Sequence, residues 1–120
     1  YLSNSPDTYV AYLFATLAGI SKVGSYTGNG TSQTIDAGFS TGAKFFMAKA
    51  TSTTGSWIFW DSTRGIVAGT ESYLTLNTTA AEVTTEDAVD PANVGITINE
   101  VSGSNINTNG VSYVYYAISN

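Results

Sequence analysis

The stretch AKFFMAKATSTTGSWIFWD, residues 43–61, determines the fold class that this sequence predicts. In its first half, Phe45 and Met47 would lie on one face of a strand and Phe46 and Ala48 on the other, because side chains alternate along a strand. A short apolar run of this kind is typical of a strand that is covered on both sides. We therefore expect it to be a central strand of a sheet.

The same stretch continues through a polar link, TSTTG, into a second apolar run, SWIFWD. Trp57 and Phe59 would share one face of this run, and Ile58 and Trp60 the other. At least one of the two tryptophans is therefore expected in the core. A link this short favours an antiparallel hairpin over a crossover connection.

The flanking segments also have the composition of short strands separated by Gly, Asn, Ser and Thr clusters. SKVGSYTGNGTSQTI (residues 21–35) predicts a hairpin that turns at Gly28-Asn29-Gly30. SYLTLN (72–77) and VGITIN (94–99) alternate as half-buried strands do. EVTTEDAVDPANVG (82–95) predicts a loop with one helical turn around Thr85 to Ala88.

Seven or eight such strands, with little helix, must bury their apolar faces against another sheet. The predicted fold is all-β, an antiparallel β-sandwich of jelly-roll or concanavalin-like type. A closed β-barrel is the alternative.

The composition excludes several classes of function. A chain of 120 residues is the size of one domain, and its formal net charge of −5 disfavours nucleic-acid binding. The sequence has no Cys and no His, which excludes disulfides and removes the commonest general base and metal ligand. The apolar run at residues 9–17 is too short to cross a bilayer. We expect no enzymatic activity, no cofactor and no membrane insertion.

Two similar stretches lie near opposite ends of the chain, YVAYLFA at residues 9–15 and YVYYAIS at residues 113–119. The first also fits a helix, but its likeness to the second favours a strand. In a tandem β-domain protein, the last strand of each unit recurs at the unit period. We therefore expect residues 1–18 to be the closing strand of a preceding domain, or the first strand of this one. Residues 19–120 would form the β-sandwich module.

An ordered set of motifs carries a family resemblance: SKVGSYTGNGT, WIFWD with Arg64 and Gly65 after it, LTLN with Glu82 beyond it, and NTNGVSYVYYA near the end. In these motifs the chain resembles a β-rich repeat or C-terminal module of tail-fibre and other virion structural proteins of tailed bacteriophages, marine and cyanophage-like ones in particular. The resemblance implies a structural or adsorption role in an extracellular virion, with other virion proteins as partners. It also implies association with copies of itself, as a trimer in tail fibres, and it carries over no catalytic residue.

The candidate ligand-binding residues are aromatic and polar: Trp57, Trp60, Asp61, Arg64, Tyr73 and Asn77. Aromatic faces could stack on sugar rings while the polar groups bond hydroxyls. Alternatively, Asp61 and Arg64, the only arginine, could form a structural ion pair that locks a turn. Glu86, Asp87 and Asp90 are weaker candidates for a Ca²⁺ site, because their spacing does not follow the EF-hand pattern.

The expected function is that of a non-enzymatic virion module that builds the particle or contacts the host surface, where a surface glycan would be its partner. A carbohydrate-binding module of a secreted protein is one alternative. Another is a self-assembling filament or surface-layer subunit that donates residues 1–17 to a neighbour as a strand.

Overall fold

The computed structural model describes residues 6–99 and 103–120, and in these residues it contains nine β-strands and no helix. The strands are β1 (Ser21–Thr27), β2 (Gln33–Asp36), β3 (Ala43–Ala50), β4 (Ile58–Asp61), β5 (Glu71–Thr75), β6 (Val83–Glu86), β7 (Val89–Ala92), β8 (Gly95–Ile98) and β9 (Ser112–Ser119). A large six-stranded sheet has the order β1-β9-β3-β4-β5-β6, and a small three-stranded sheet has the order β2-β8-β7. All strand pairs are antiparallel.

The large sheet is centred on β3, as its sequence predicts. This strand pairs with β9 on one side and with β4 on the other, so both the central strand and the β3–β4 hairpin are confirmed. Phe46 lies opposite Trp60 in register, and both side chains are fully buried. The prediction that one tryptophan belongs to the core is therefore also confirmed.

One hydrophobic core joins the two sheets. The large sheet contributes Phe46, Trp60 and Tyr115 to it, and the small sheet contributes Ile35 and Ile96 among others. This arrangement confirms the predicted β-sandwich. The large sheet ends in β1 on one side and β6 on the other, so the alternative of a closed barrel is wrong.

The predicted hairpin over residues 21–35 has the turn but not the pairing. β1 pairs with β9 in the large sheet, whereas β2 pairs with β8 in the small sheet. The turn between them carries the chain from one sheet to the other and is held by Asn107, whose Oδ1 accepts from Asn29 N at 3.1 Å and whose carbonyl accepts from Gly30 N at 3.0 Å. An Asn-Gly turn reverses the chain without determining that its two arms bond each other.

The predicted loop with a helical turn over residues 82–95 is also wrong. These residues form β6, β7 and the turn into β8. Pro91 is tolerated in β7 because this strand lies at the edge of the small sheet, where a missing N–H need not remove a ladder bond. Of the acidic residues in this segment, Glu86 and Asp90 lie on the short strands, Asp87 lies in the link between them, and Glu82 precedes β6.

The segment 72–77 alternates as predicted. Its buried side is that of Tyr73, which shares this side with Glu71, and not that of Leu74 and Leu76. Glu71 and Tyr73 are buried, whereas Leu74 is half-buried and Leu76 is exposed. In VGITIN the alternation is confirmed for Ile96 and Ile98, which lie in the core, whereas Val94 is 41% exposed in the turn before β8.

The predicted N-terminal strand is not formed in residues 6–16, and the first five residues lie outside the described part of the chain. Leu17 pairs with Ser21 around Gly19, whose φ is 71°. Thr16 Oγ1 accepts from Val23 N at 3.0 Å and donates to Val23 O at 3.4 Å. This hydroxyl occupies the positions on the β1 edge at which a continuing strand would bond. The assignment of residues 1–18 to a preceding domain stays a prediction.

Candidate functional site

The large sheet has a second apolar face, on the side away from the core. Its residues alternate with inward-facing ones along β1, β9, β3, β4 and β5. One apolar row crosses all five strands in register: Val23, Tyr116, Met47, Phe59 and Leu74. The neighbouring rows also contain polar residues: Ser21, Ser25, Lys49 and Asp61. We call this surface the outer face. It comprises Val23, Phe45, Met47, Phe59, Leu74, Val114, Tyr116 and Ile118.

An aromatic stripe crosses the outer face from strand to strand. Phe45 lies at its centre, with its ring centroid 6.2 Å from that of Tyr116 on β9 and 6.0 Å from that of Phe59 on β4. Phe14, from the N-terminal segment, extends the stripe with a ring centroid 4.6 Å from that of Tyr116. At the other end, the guanidinium carbon of Arg64 lies 5.2 Å from the Phe59 ring centroid, within cation–π distance.

The outer face is only partly covered. Phe45, Phe59 and Tyr116 are half-buried by one another, and Val23 and Val114 are 43% and 36% exposed. In the part of the chain that the structure describes, neither sheet packs a strand across this surface. Contiguous exposed apolar surface on a soluble domain is typical of an interaction site.

Arg64 holds the turn after β4 through two carboxylates. Its Nε and Nη2 lie 2.7 and 2.6 Å from Asp61 Oδ2, and its Nη1 lies 3.0 Å from Glu82 Oε1. Partial burial raises the pKa of the Asp61 carboxyl, but the hydrogen bonds and charge of Arg64 outweigh that effect, so the pKa lies below its usual value. Asp61 Oδ1 also accepts from the backbone N–H groups of Thr63 and Arg64. The pair that the sequence predicted therefore forms and fixes the local turn.

The other candidate ligand-binding residues are divided between the two sides of the sheet. Trp57 is half-buried beside the outer face, and Asn77 Oδ1 accepts from its backbone N–H at 2.9 Å. Trp60 and Tyr73 lie on the inner side, in the core, with their rings 5.4 Å apart. The structure thus brings Asp61 and Arg64 together but separates Trp57 from Trp60.

The three candidate calcium ligands do not converge. Glu86 Oε2 accepts from Ser104 N at 2.8 Å, whereas Asp87 and Asp90 both accept from the Asn99 side-chain amide, at 3.0 and 2.9 Å. Among the described residues, no three acidic, His or Cys side chains are placed to hold one metal ion. Asp87 and Asp90 instead share the Asn99 amide as a donor, and Glu86 bonds the backbone of a different loop.

A comparison with protein families gives one match, to the domain of unknown function DUF7483, over residues 2–120. The chain belongs to the DUF7483 family. No curated protein and no solved structure matches this DUF7483 chain. In residues 6–99 and 103–120, this DUF7483 chain has no helix that is long and apolar enough to cross a membrane.

Reasoning from the sequence did not select the aromatic residues of the outer face in this DUF7483 chain. Phe45 and Phe59 were expected only as strand residues, although the presence of apolar side chains on both faces of residues 43–50 was a usable signal. Glu82 could not be paired with Arg64 from the sequence, because 18 residues separate them and β5 lies between.

Proposed function

We propose that this chain is a non-enzymatic structural module that assembles through the outer face of its large sheet. The observation that supports this most directly is that the six-stranded sheet is apolar on both sides, while the small sheet covers only one of them. An apolar sheet face gains free energy when it is removed from water. A second copy of the same chain offers such a face, and closed assemblies of identical chains are the commonest oligomers.

The setting we propose is an extracellular virion, with the chain as a tail-fibre-like module that contacts its own copies and neighbouring virion proteins. The resemblance to phage tail-fibre modules supports this setting. The N-terminal segment, which contacts the outer face through Phe14, adds further exposed apolar side chains: Val10, Tyr12 and Leu13 are 80%, 82% and 93% exposed. A segment of this kind suits a protein whose surfaces are covered by neighbours.

The test is the oligomeric state of the full chain by sedimentation velocity across a range of concentrations, compared with two matched variants. Val114→Glu places a carboxylate on the outer face opposite Lys49. The opposite charges form a favourable cross-strand pair, so the variant should still fold. Val94→Glu makes the same change in the β7–β8 turn, at a similarly exposed valine outside the outer face. We expect Val114→Glu to weaken association at least about tenfold, because a charge must then be desolvated. Val94→Glu should associate like the parent chain.

The result also separates this proposal from the donated-segment alternative. A Tyr12→Ser/Leu13→Ser variant changes two highly exposed side chains outside the sheet. Loss of association in this variant, with Val114→Glu unaffected, would favour donation of the N-terminal segment. Equal behaviour of Val114→Glu and Val94→Glu would refute assembly through the outer face.

A further inference from the structure

A pocket of about 460 Å³ opens on the inner side of the large sheet, at the end that the small sheet does not reach. Its lining comes from β3, β4, β5 and β9, from the β3–β4 link and from the loop that precedes β9. No residue of β2, β7 or β8 is among the described residues that line it. The volume lies within the range of small-molecule sites in proteins.

The floor of the pocket is mainly apolar. Ala48, Ile58, Tyr73 and Tyr113 line it, and all four are buried strand residues. The small side chains of Ala48 and Ala50 leave room for the cavity, and the rings of Tyr73 and Tyr113 lie at its boundary. Such a floor matches the C–H surface of a ligand rather than its polar groups.

One wall of the pocket is the loop before β9, and Tyr113 holds this wall in place. The Tyr113 hydroxyl donates to Asn105 O at 2.8 Å and accepts from Thr108 N at 3.1 Å. Glu86 Oε2 fixes the same loop by accepting from Ser104 N at 2.8 Å. The wall is therefore tied to β9 and β6 by side-chain hydrogen bonds, as a preformed site requires.

The rest of the lining is rich in hydroxyl groups and carries no charge among the described residues. Its hydroxyl-bearing residues are Thr53, Thr54, Ser56, Thr75, Ser104 and Thr108. Ser104 is 5% exposed, and its Oγ is buried without a hydrogen-bond partner in the described part of the chain. A buried hydroxyl without a partner costs free energy, which a ligand that bonds it would recover.

We propose that this pocket binds a neutral polyhydroxylated ligand, a single uncharged sugar residue, with its C–H face against the apolar side of the pocket and its hydroxyls bonded to Ser104 and the neighbouring threonines. A charged ligand would find no opposite charge in the described lining and would lose its hydration. A purely apolar ligand would leave the hydroxyls unpaired. This inference does not depend on the proposed assembly role, since the pocket and the outer face lie on opposite sides of the large sheet.

The experiment is an amide-resolved NMR titration of the full chain with glucose, galactose and N-acetylglucosamine, repeated with Ser104→Ala and Ser25→Ala. Ser25 is an exposed serine on β1 outside the pocket, and it controls for the loss of a hydroxyl. Ser104→Ala removes a hydroxyl that bonds no described residue, so it should fold as well as the parent chain, which a thermal melt checks.

We expect at least one sugar to shift the resonances of pocket residues at millimolar concentration, and Ser104→Ala to weaken that binding about tenfold, the effect of one lost hydrogen bond. Ser25→Ala should bind like the parent chain. The proposal is overturned if none of the three sugars shifts pocket resonances, if the shifts map elsewhere, or if Ser104→Ala binds unchanged.

Discussion

Replacing Glu71 by Gln should stabilise the protein above neutral pH. Glu71 begins β5 with 2% of its surface exposed, and its Oε1 accepts from the backbone N–H groups of Ala88 and Val89 at 2.6 and 2.7 Å. Its Oε2 is buried and has no hydrogen-bond partner among the described residues. Burial, opposed by those two hydrogen bonds and reinforced by the charges of Asp87 and Asp90, raises the pKa of Glu71 from 4.5 to about 7.

The direction of the pH effect follows from the proton balance. Between about pH 4.5 and 7 the folded chain holds a proton on Glu71 that the unfolded chain has released, so this group makes folding less favourable as the pH rises through that window. Below the window both states are protonated and the effect is absent. At 1.36 kcal/mol per pKa unit, the full cost above the window is about 3 kcal/mol.

Glu71→Gln keeps a carbonyl oxygen for Ala88 and Val89 but cannot ionise. We therefore expect it to exceed the parent chain in unfolding free energy by up to about 3 kcal/mol near pH 8, and to match it near pH 4.5. Glu71→Ala, which leaves both N–H groups unpaired, should be less stable than the parent chain by at least about 2 kcal/mol near pH 4.5. This deficit should shrink as the pH rises, because only the parent chain has a carboxyl that ionises at this position. Urea unfolding monitored by tryptophan fluorescence measures both variants.

Glu82→Gln provides the control, because Glu82 is an exposed glutamate whose partner is Arg64. Its loss should change the unfolding free energy by less than about 1 kcal/mol. The reasoning would be refuted if Glu71→Gln were less stable than the parent chain near pH 8, or if their difference were the same at both ends of the pH range.

Two further predictions concern the turn that links the sheets. Asn107 is fully buried, and its Oδ1 accepts from Asn29 N and Gln33 Nε2, so Asn107→Leu should lower the unfolding free energy by about 3 kcal/mol or more, measured by urea unfolding. A side chain added at Gly28 would make its Cβ clash with Thr108 O, a backbone atom, so Gly28→Ala should lower the unfolding free energy by more than about 2 kcal/mol. Gly110→Ala meets no atom within 4 Å but has a φ of 78°, so its thermal melt should show a smaller loss, about 1 kcal/mol.

Strong local patterns in the sequence were sufficient to predict the strands at the centre of the large sheet. The alternation of Phe45 and Phe46, followed by that of Phe59 and Trp60, predicted β3, β4 and their pairing, because a short polar link leaves an antiparallel hairpin as the simplest connection. The ion pair of Asp61 and Arg64 was predictable for the same reason, since it lies within one turn.

The parts that could not be predicted depend on distant partners. YVAYLFA and YVYYAIS have similar strand propensity, yet only the second forms a strand, because β9 lies between β1 and β3. Neither of the two sheets includes residues 9–15. Likewise, alternation could not show that Tyr73 rather than Leu74 faces the core, because both faces of the large sheet are apolar. The pocket combines residues from three separate stretches of the chain, 48–58, 73–75 and 103–113, and no local pattern joins them.

The outer face and the pocket have one structural cause, the unequal size of the two sheets. Three strands of four residues each are packed against a sheet of six strands, of which β3 and β9 have eight residues each. The small sheet can cover only part of one side, so the uncovered part of the inner side becomes a pocket and, in the described part of the chain, no second sheet covers the outer side. A domain selected only for its own stability would gain by covering this apolar surface. The uncovered surface therefore indicates a protein that works in contact with other molecules. The Val114→Glu experiment tests the outer face, and the Ser104→Ala experiment tests the pocket separately.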